Sequence, residues 1–431
     1  MFWLFLGQVL SADHSCRETL RRFLAWLALA GAQRRTLAGA QRRTLAGRRA
    51  SARTTGYCKA RRRLPQKDIE ETLARMARKI RAAHGPRGRW FGRAVKVVDG
   101  SGVSMPDTRA NQERWPQPAG AKPGCSFPVM RVVALFCLAT GVLIGLSHGN
   151  LRVHERTLFR SLWDRLERGD VLLADRGFCG FAEILLLHRR GVDSVMRNHQ
   201  RRTVGKTRLQ RLGRGDGLIL WHKGKAGPHC PDKALWHTFP DTLLLREITF
   251  RTGGCGFRTR VVTVVTTLLD PVAFPTQAFA DLYRRRWQAE LFLRDIKTTL
   301  GMDILTCKSP EMVLKELTMY LIAYNLVRVT MLEAAAPSPG APGPCQSPSF
   351  KGTLSTLRTW APFFPDLPAP HRNRLWLLLL RCIADDPLPH RPNRSEPRAR
   401  KRRPKAYQLL NKPRRAFKEI PHRNKYVKPL S

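Results

Sequence analysis

The chain has 431 residues, 43% of them hydrophobic, enough to bury a large core divided among two or three domains. Lys and Arg outnumber Asp and Glu by 77 to 32, a formal charge of +45. That excess is too large for an ordinary solvated surface and implies a long polyanionic partner, nucleic acid before a membrane surface. Ten cysteines with no Cys-x2-Cys pair argue against a zinc ribbon or a disulfide framework and fit a reducing cytosol.

Residues 1–90 read as helical, Arg17 to Leu27 being the clearest amphipathic piece. Phe2 to Leu10 is apolar but has no basic n-region or cleavage site, which argues against a signal peptide. Gly31-Ala-Gln-Arg-Arg-Thr-Leu-Ala38 is repeated at once as residues 39–46. That period suits no solenoid and points to a duplicated DNA segment encoding a basic loop. Arg34 to Lys67 holds 12 basic residues and no acid, a first nucleic-acid contact zone.

Residues 91–197 alternate between strands and helices. Ala94-Val-Lys-Val-Val-Asp99 and Val171-Leu-Leu-Ala-Asp175-Arg-Gly are short apolar runs bounded by Gly, the pattern of buried parallel strands. Val132 to Leu146 contains Thr140-Gly141 and falls short of the ~20 residues needed to span a bilayer, so Val129 to Ala139 and Gly141 to Ser147 are predicted to pair as a hairpin. Helices are expected over about His154 to Arg168 and Phe181 to Arg190, with a short strand from Asp193 to Arg197. Residues 198–257 interrupt this pattern with Gly, basic residues and β-like runs such as Leu218 to His222, and Arg260 to Leu269 is strongly strand-like. Residues 258–335 carry a helix around Glu290 and another over about Glu311 to Glu333. In the last segment, residues 336–431, a Pro/Gly/Ser-rich linker (Ala334 to Ser349) leads to Arg374 to Ile383, which reads as one buried helix. Beyond Pro389 the tail holds 15 Lys/Arg against Glu396 and Glu419 and is expected to stay unfolded without its partner.

Three acids stand out. A carboxylate at the C-terminal end of a parallel strand sits at the sheet's ligand edge. If the Asp99 and Asp175 strands are neighbours, with axes about 4.8 Å apart, both carboxylates can hold one divalent cation. Alone, either Asp reads as a turn or cap residue. The third acid lies in Tyr283-Arg-Arg-Arg-Trp-Gln-Ala-Glu290-Leu-Phe-Leu-Arg-Asp-Ile-Lys297, a stretch without Gly or Pro. At about 100° per residue, Tyr283, Arg286, Glu290 and Lys297 fall within an arc of about 60°. One face thus presents a carboxylate, two cations and a phenol. The plain reading is a solvated helix with an Arg286–Glu290 i,i+4 pair.

Asp99, Asp175 and Glu290 in this order, with Tyr-x2-Arg-x3-Glu-x6-Lys around the Glu, resemble the DDE transposases of the insertion-sequence type-four family. Gly56 to Pro65, Asp99 to Thr108, Ala174 to Cys179, Lys308 to Met312 and Lys401 to Lys405 extend the likeness almost to both ends. The resemblance implies an α/β fold: a ribonuclease-H-like core with its first and fourth strands parallel neighbours, a β-rich insertion, a helical N-terminal domain that binds DNA, and a basic C-terminal tail. It implies two Mg2+ ions per site, with Mn2+ as substitute, Asp99 bridging both, Asp175 on one and Glu290 on the other. Tyr283, Arg286 and Lys297 would hold phosphates of the element's end. The implied partners are double-stranded DNA (terminal inverted repeats and target) and a second copy of the chain in the synaptic complex, within a bacterial cytoplasm and nucleoid, with no membrane. Relatives usually carry residues ahead of the point where this chain starts, so the N-terminal domain is expected to be truncated. A structure-specific nuclease of this fold, a non-catalytic DNA-binding descendant and a basic RNA-binding protein remain open alternatives.

Several other residues compete for roles. His154-Glu155 opens a predicted helix and reads first as its cap. Arg176 could touch DNA or pair with a carboxylate. Trp221 and Trp236 could stack on an unpaired base, though packing is favoured for both, as it is for Trp287, which points away from the signature arc. Asp107 lies in a turn-like run and Asp295 off the signature face.

Overall fold

The computed structural model describes residues 1–37, 53–84, 88–122, 124–198, 205–226, 233–252, 260–336, 348–364 and 367–388. The second octapeptide copy, residues 38–52 of the basic Arg34–Lys67 zone, most of the Pro/Gly/Ser linker, and the tail with Lys401 to Lys405 lie outside the described residues.

Four helices open the chain: α1 (Phe2–Leu10), α2 (Cys16–Leu37), α3 (Thr54–Arg62) and α4 (Gln66–His84). They belong to the first of two compact units, which comprises Met1–His84, Thr298–Leu300 and Leu314–His390. Phe5, Leu6 and Val9 of α1, Tyr57 of α3 and Ile69, Ala77 and Ile80 of α4 are buried.

The second unit comprises Gly85–Lys297 and Gly301–Val313. Its strands are β1 (Val95–Ser104), β2 (Val129–Cys137), β3 (Leu143–Asn150), β4 (Val171–Ala174), β5 (Asp193–Arg197), β6 (Lys206–Gly213), β7 (Asp216–His222), β8 (Thr242–Thr252) and β9 (Arg260–Thr266). Together they form one sheet ordered β3-β2-β1-β4-β5-β9-β8-β7-β6. β1, β2 and β3 are antiparallel neighbours, whereas β4 runs parallel to β1 and β5 parallel to β4. This is the ribonuclease-H-like order, with the first and fourth strands side by side. The hairpin turns at Thr140-Gly141, where Gly141 has φ +69, a conformation open to Gly at little cost. The described insertion strands β6 to β8 lengthen the same sheet through β9, which pairs antiparallel with β5.

Helices α5 (Arg109–Arg114), α6 (Glu155–Arg160), α7 (Phe181–Arg189), α8 (Lys233–His237), α9 (Thr276–Arg285) and α10 (Trp287–Arg294) complete this unit. One sheet face, carrying Val98, Val133 and Leu135, packs on Leu158 and Phe159 of α6 and Ile184 and Leu187 of α7. On the other face Phe136, the register partner of Val97, meets Phe292 of α10, ring centroids 5.4 Å apart. α10 therefore lies over the face that carries Val97 and, by the two-residue period of a strand, Asp99.

Further along are α11 (Pro310–Ala334), α12 (Phe350–Trp360) and α13 (Ala369–Ala384). In the first unit Ala334, Leu379 and Ile383 form a small core with Leu357, Trp360 and Trp376 around it. Among the described residues no helix is long and apolar enough to cross a membrane.

Three expectations are corrected. Asp99 does not end its strand: β1 continues to Ser104 because antiparallel β2 pairs with it throughout. The helix expected from His154 to Arg168 stops at Arg160, where the Ser161 hydroxyl donates to the Leu158 carbonyl (2.7 Å), a local bond that competes with the helix ladder. The helix over Arg374 to Ile383 buries one stripe only, since Leu377 and Leu378 are exposed.

Candidate active site

The site begins with register. Val97 pairs with Leu173 across parallel β1 and β4. Asp99 and Asp175 each follow two residues later, which brings the two carboxylates towards one edge of the sheet. β4 ends at Ala174, so Asp175 leaves the sheet where its helix connection begins. Its Oδ1 accepts the Gly177 amide (2.8 Å) and Asp99 Oδ1 accepts the Gly100 amide (2.9 Å).

Glu290 enters from above on α10. Its Oε1 accepts a hydrogen bond from Arg286 Nη2 at 2.7 Å. The i,i+4 pair of the plain reading therefore forms, yet the helix is not simply solvated, because the Arg286 side chain is only 17% exposed. The signature stretch is also not one uniform helix. α9 ends at Arg285 and α10 starts at Trp287, while Arg286 between them keeps helical torsions (φ −52, ψ −34). Asp295–Thr299 is a π turn, a local widening of the helix common at functional sites. That turn winds Lys297 back around the axis, and its Nζ donates to Ser101 Oγ at 2.9 Å. Ser101 lies two residues after Asp99 and so shares its face. Tyr283 is 8% exposed, with the Arg286 guanidinium 5.9 Å from its ring centroid.

The electrostatics record the same convergence. Burial pushes the Asp99 carboxyl up to about 6; the Gly100 amide and Arg286 oppose the shift, and the charges of Asp175 and Glu290 add to it. Burial also drives the Tyr283 phenol up to about 12, against Arg286 and Arg197 and with Asp175, so it stays protonated and can donate at neutral pH. Arg286 is held above its ordinary range: burial works against its charge, but Glu290, Tyr283 and Asp99 outweigh that. Burial lowers Lys297, with Asp303 opposing. Asp99, Asp175, Glu290, Tyr283, Arg286 and Lys297 thus gather around one patch of the sheet, with Arg176 exposed beside Asp175.

Arg197 and Ser101 were not singled out from the sequence. Ala174 pairs with Met196, so Asp175 and Arg197 each follow a paired residue on neighbouring strands. The available signals were the strand period, which puts Ser101 with Asp99, and the end of the strand after Asp175, which carries Arg197.

The competing residues sort plainly. The His154 side chain caps α6 by accepting the Arg156 amide. Glu155 lies against Gly100, where an added Cβ would stand 2.8 Å from its Oε1, on the opposite face of β1 from Asp99. Trp221 is 7% exposed, and Trp236 packs on Phe181 and Phe239, at 5.9 and 5.7 Å between ring centroids. Asp107 accepts from Gln112 (2.8 Å) and Asp295 lies 3.8 Å from Arg294. Trp287 overturns the packing expectation: it is 55% exposed.

Hard carboxylate oxygens are the donors a divalent cation of the magnesium type takes, and the like charges that raise Asp99 are what such a cation would offset. Among the described residues, no three His, Cys, Asp or Glu are grouped to hold one metal ion.

The family described as "Transposase DDE domain" matches residues 90–326. The transposase InsG for insertion sequence element IS4 of Escherichia coli (strain K12) is 27% identical over 278 residues, covering 64% of this chain and 60% of that protein; the chain thus spans about three fifths of that relative's length. A piggyBac transposase synaptic complex with hairpin DNA, seen by cryo-EM, aligns over 66% of this chain and 57% of its own, with 8% identity and a TM-score of 0.37. The matched segment, more than half of the chain, contains Asp99, Asp175 and Glu290: this chain belongs to the DDE-domain transposase family, whose members use divalent metal ions.

Proposed function

We propose that this chain is a DNA transposase that cuts and rejoins the ends of its own insertion sequence, with Asp99, Asp175 and Glu290 as its metal-holding acids. The observation that carries this reading is the closeness of Asp99 to the Asp175 and Glu290 charges, two residues beyond the Val97–Leu173 pair of parallel strands. Asp99 would be shared between two magnesium ions, the second carboxylate being Asp175 for one and Glu290 for the other. This pairwise scheme requires no cluster of three acids. Magnesium at such a site supplies charge relief on the leaving oxygen and an activated water, and manganese can replace it.

The chain's own residues do the positioning. Arg286 and Lys297 draw phosphate oxygens towards the Asp99 face by charge, and the protonated Tyr283 phenol donates one hydrogen bond to them. Arg176 and Arg197 add positive charge on the Asp175 side. Hydrolysis breaks a P–O3′ bond and frees a 3′-hydroxyl. That hydroxyl then attacks a phosphodiester of the target, and the target's own 3′ oxygen leaves. The partners are double-stranded DNA, as terminal inverted repeats and target, and a second copy of the chain in the synaptic complex. The place of action is the bacterial cytoplasm and nucleoid. The helices α1 to α4 and the basic tail provide further DNA contacts.

The test is a labelled duplex carrying the inverted repeats that flank the gene, incubated with magnesium and a target plasmid. Cleavage at the repeat end together with joined strand-transfer products is expected. Cleavage at junctions irrespective of the repeats, with no joining, would instead make the chain a structure-specific nuclease.

A further inference from the structure

The ten cysteines look scattered in the sequence, but folding brings two of them together in the first unit. Cys16, the first residue of α2, and Cys58, in the middle of α3, lie with their sulfurs 3.9 Å apart across 42 positions of chain. Both are only partly buried, so a small thiol reagent can reach them. A polar network fixes their surroundings. Gln8 Nε2 donates to the Cys16 sulfur (3.6 Å) and to the His14 carbonyl (2.7 Å). Gln8 Oε1 accepts from Tyr57 Oη and Arg61 Nη1, both at 2.8 Å. The Arg61 guanidinium stands 4.6 Å from the centre of the Phe5 ring. Because Tyr57 and Arg61 flank Cys58 on α3, and Gln8 touches Cys16 directly, the two thiols are held face to face.

An S–S bond is about 2.05 Å long, so the sulfurs need close by only about 1.9 Å from their 3.9 Å separation, a movement of side-chain torsions. Burial pushes the Cys16 thiol up, with the Arg61 charge opposing.

We propose that Cys16 and Cys58 form a reversible dithiol–disulfide pair, oxidised by exchange with a small disulfide of the glutathione class, which clamps α2 to α3. The Cys58 thiolate attacks one sulfur of the oxidant, forming a mixed disulfide and expelling one glutathione thiolate. The Cys16 thiolate then attacks the Cys58 sulfur, forming the Cys16–Cys58 bond and expelling the second. Two protein thiols are oxidised and one glutathione disulfide is reduced to two glutathiones. The bond closes into a covalent loop the chain between the two cysteines, which includes the duplicated basic octapeptide. The proposal does not depend on the chemistry at Asp99.

The full-length reduced protein, equilibrated in glutathione buffers of increasing oxidised fraction, tests it by peptide mapping under non-reducing conditions and by amide hydrogen exchange. A Cys16–Cys58 cross-link is expected before the exposed Cys125 and Cys382 are half converted to glutathione adducts. Dithiothreitol should reverse it, and Cys16→Ser and Cys58→Ser should each lack it. Amide exchange in α3 should slow at least tenfold in the cross-linked protein. Separate glutathione adducts on Cys16 and Cys58 without the cross-link would overturn the pairing. A cross-link that leaves α3 exchange unchanged would overturn the clamp.

Discussion

Asp99 and Asp175 each lie two residues beyond the Val97–Leu173 pair of adjacent parallel strands, Asp99 within β1 and Asp175 just past the end of β4. On the neighbouring β5, Arg197 follows the Met196 partner of Ala174. The register of these strands brings two carboxylates and a guanidinium to one edge of the sheet, and α10 brings Glu290 over the same face.

Burial of Asp99 makes stability depend on pH. The Asp99 carboxyl titrates at about 6 in the fold against an ordinary 3.8, burial being the main cause. The folded chain therefore holds this proton more tightly than the unfolded chain does. The group's favourable contribution is complete below its ordinary value and is lost as pH rises through about 6, a difference of roughly 3 kcal/mol. In chelator, Asp99→Asn should be more stable than the parent by roughly 1–3 kcal/mol at about pH 8 and nearly equal to it at about pH 4. Urea unfolding at both values checks this, and the same difference at both would mean that ionisation of Asp99 is not the cause.

Arg286 and Lys297 are assigned to phosphates. Arg286→Ala and Lys297→Ala should each lower the slope of log affinity against log salt for the repeat end by about 0.9, one phosphate contact. Calorimetric metal binding should survive in both, since neither is a ligand. Unchanged slopes in both variants would remove the pair from the DNA track.

The signature helix has an anchor of its own. Arg246 on β8 is fully buried; it bonds Asp216 through Nε (2.8 Å) and Nη2 (2.5 Å) and donates through Nη1 to the Phe274 carbonyl (2.8 Å), two residues before α9. Arg246→Ala strands a buried carboxylate and should cost about 3–5 kcal/mol. Replacing Arg246 and Asp216 together with apolar residues should cost less. Denaturant midpoints for the three proteins decide it, and a single-variant loss below about 1 kcal/mol would show that the pair anchors nothing.

Much of this was legible in the sequence. The Gly-bounded apolar runs placed Asp99 and Asp175 on strands, and helical spacing put Arg286 next to Glu290. The continuation of β1 past Asp99 was not legible, because Gly100-Ser-Gly reads as a turn until antiparallel β2 is there to pair with it. Trp287 was misjudged for a related reason: helical angles show which way a side chain points from Glu290 but not what covers that side. Ser101 and Arg197 are neutral and basic residues in unremarkable runs, and only the register of neighbouring strands gives them a place. The Cys16–Cys58 meeting depends on three helices closing on Gln8, a long-range arrangement with no local signal.

The tail is a separate electrostatic question. Residues 390–431 carry 15 Lys/Arg against two Glu, so truncation after Leu388 should weaken binding to random duplex steeply at low salt and little at high salt. Single-turnover nicking of a pre-bound end should persist. Titrations at two salt concentrations check this; equal affinity with and without the tail would contradict it.

The most direct test compares Asp99→Ala, Asp175→Ala and Glu290→Ala for nicking of a labelled repeat end with magnesium, alongside a gel-shift assay of end binding. Each substitution removes a proposed metal ligand and no proposed DNA contact. The account predicts that all three abolish nicking while binding stays within about threefold of the parent, roughly 0.7 kcal/mol. Near-normal nicking by any one of them would contradict it.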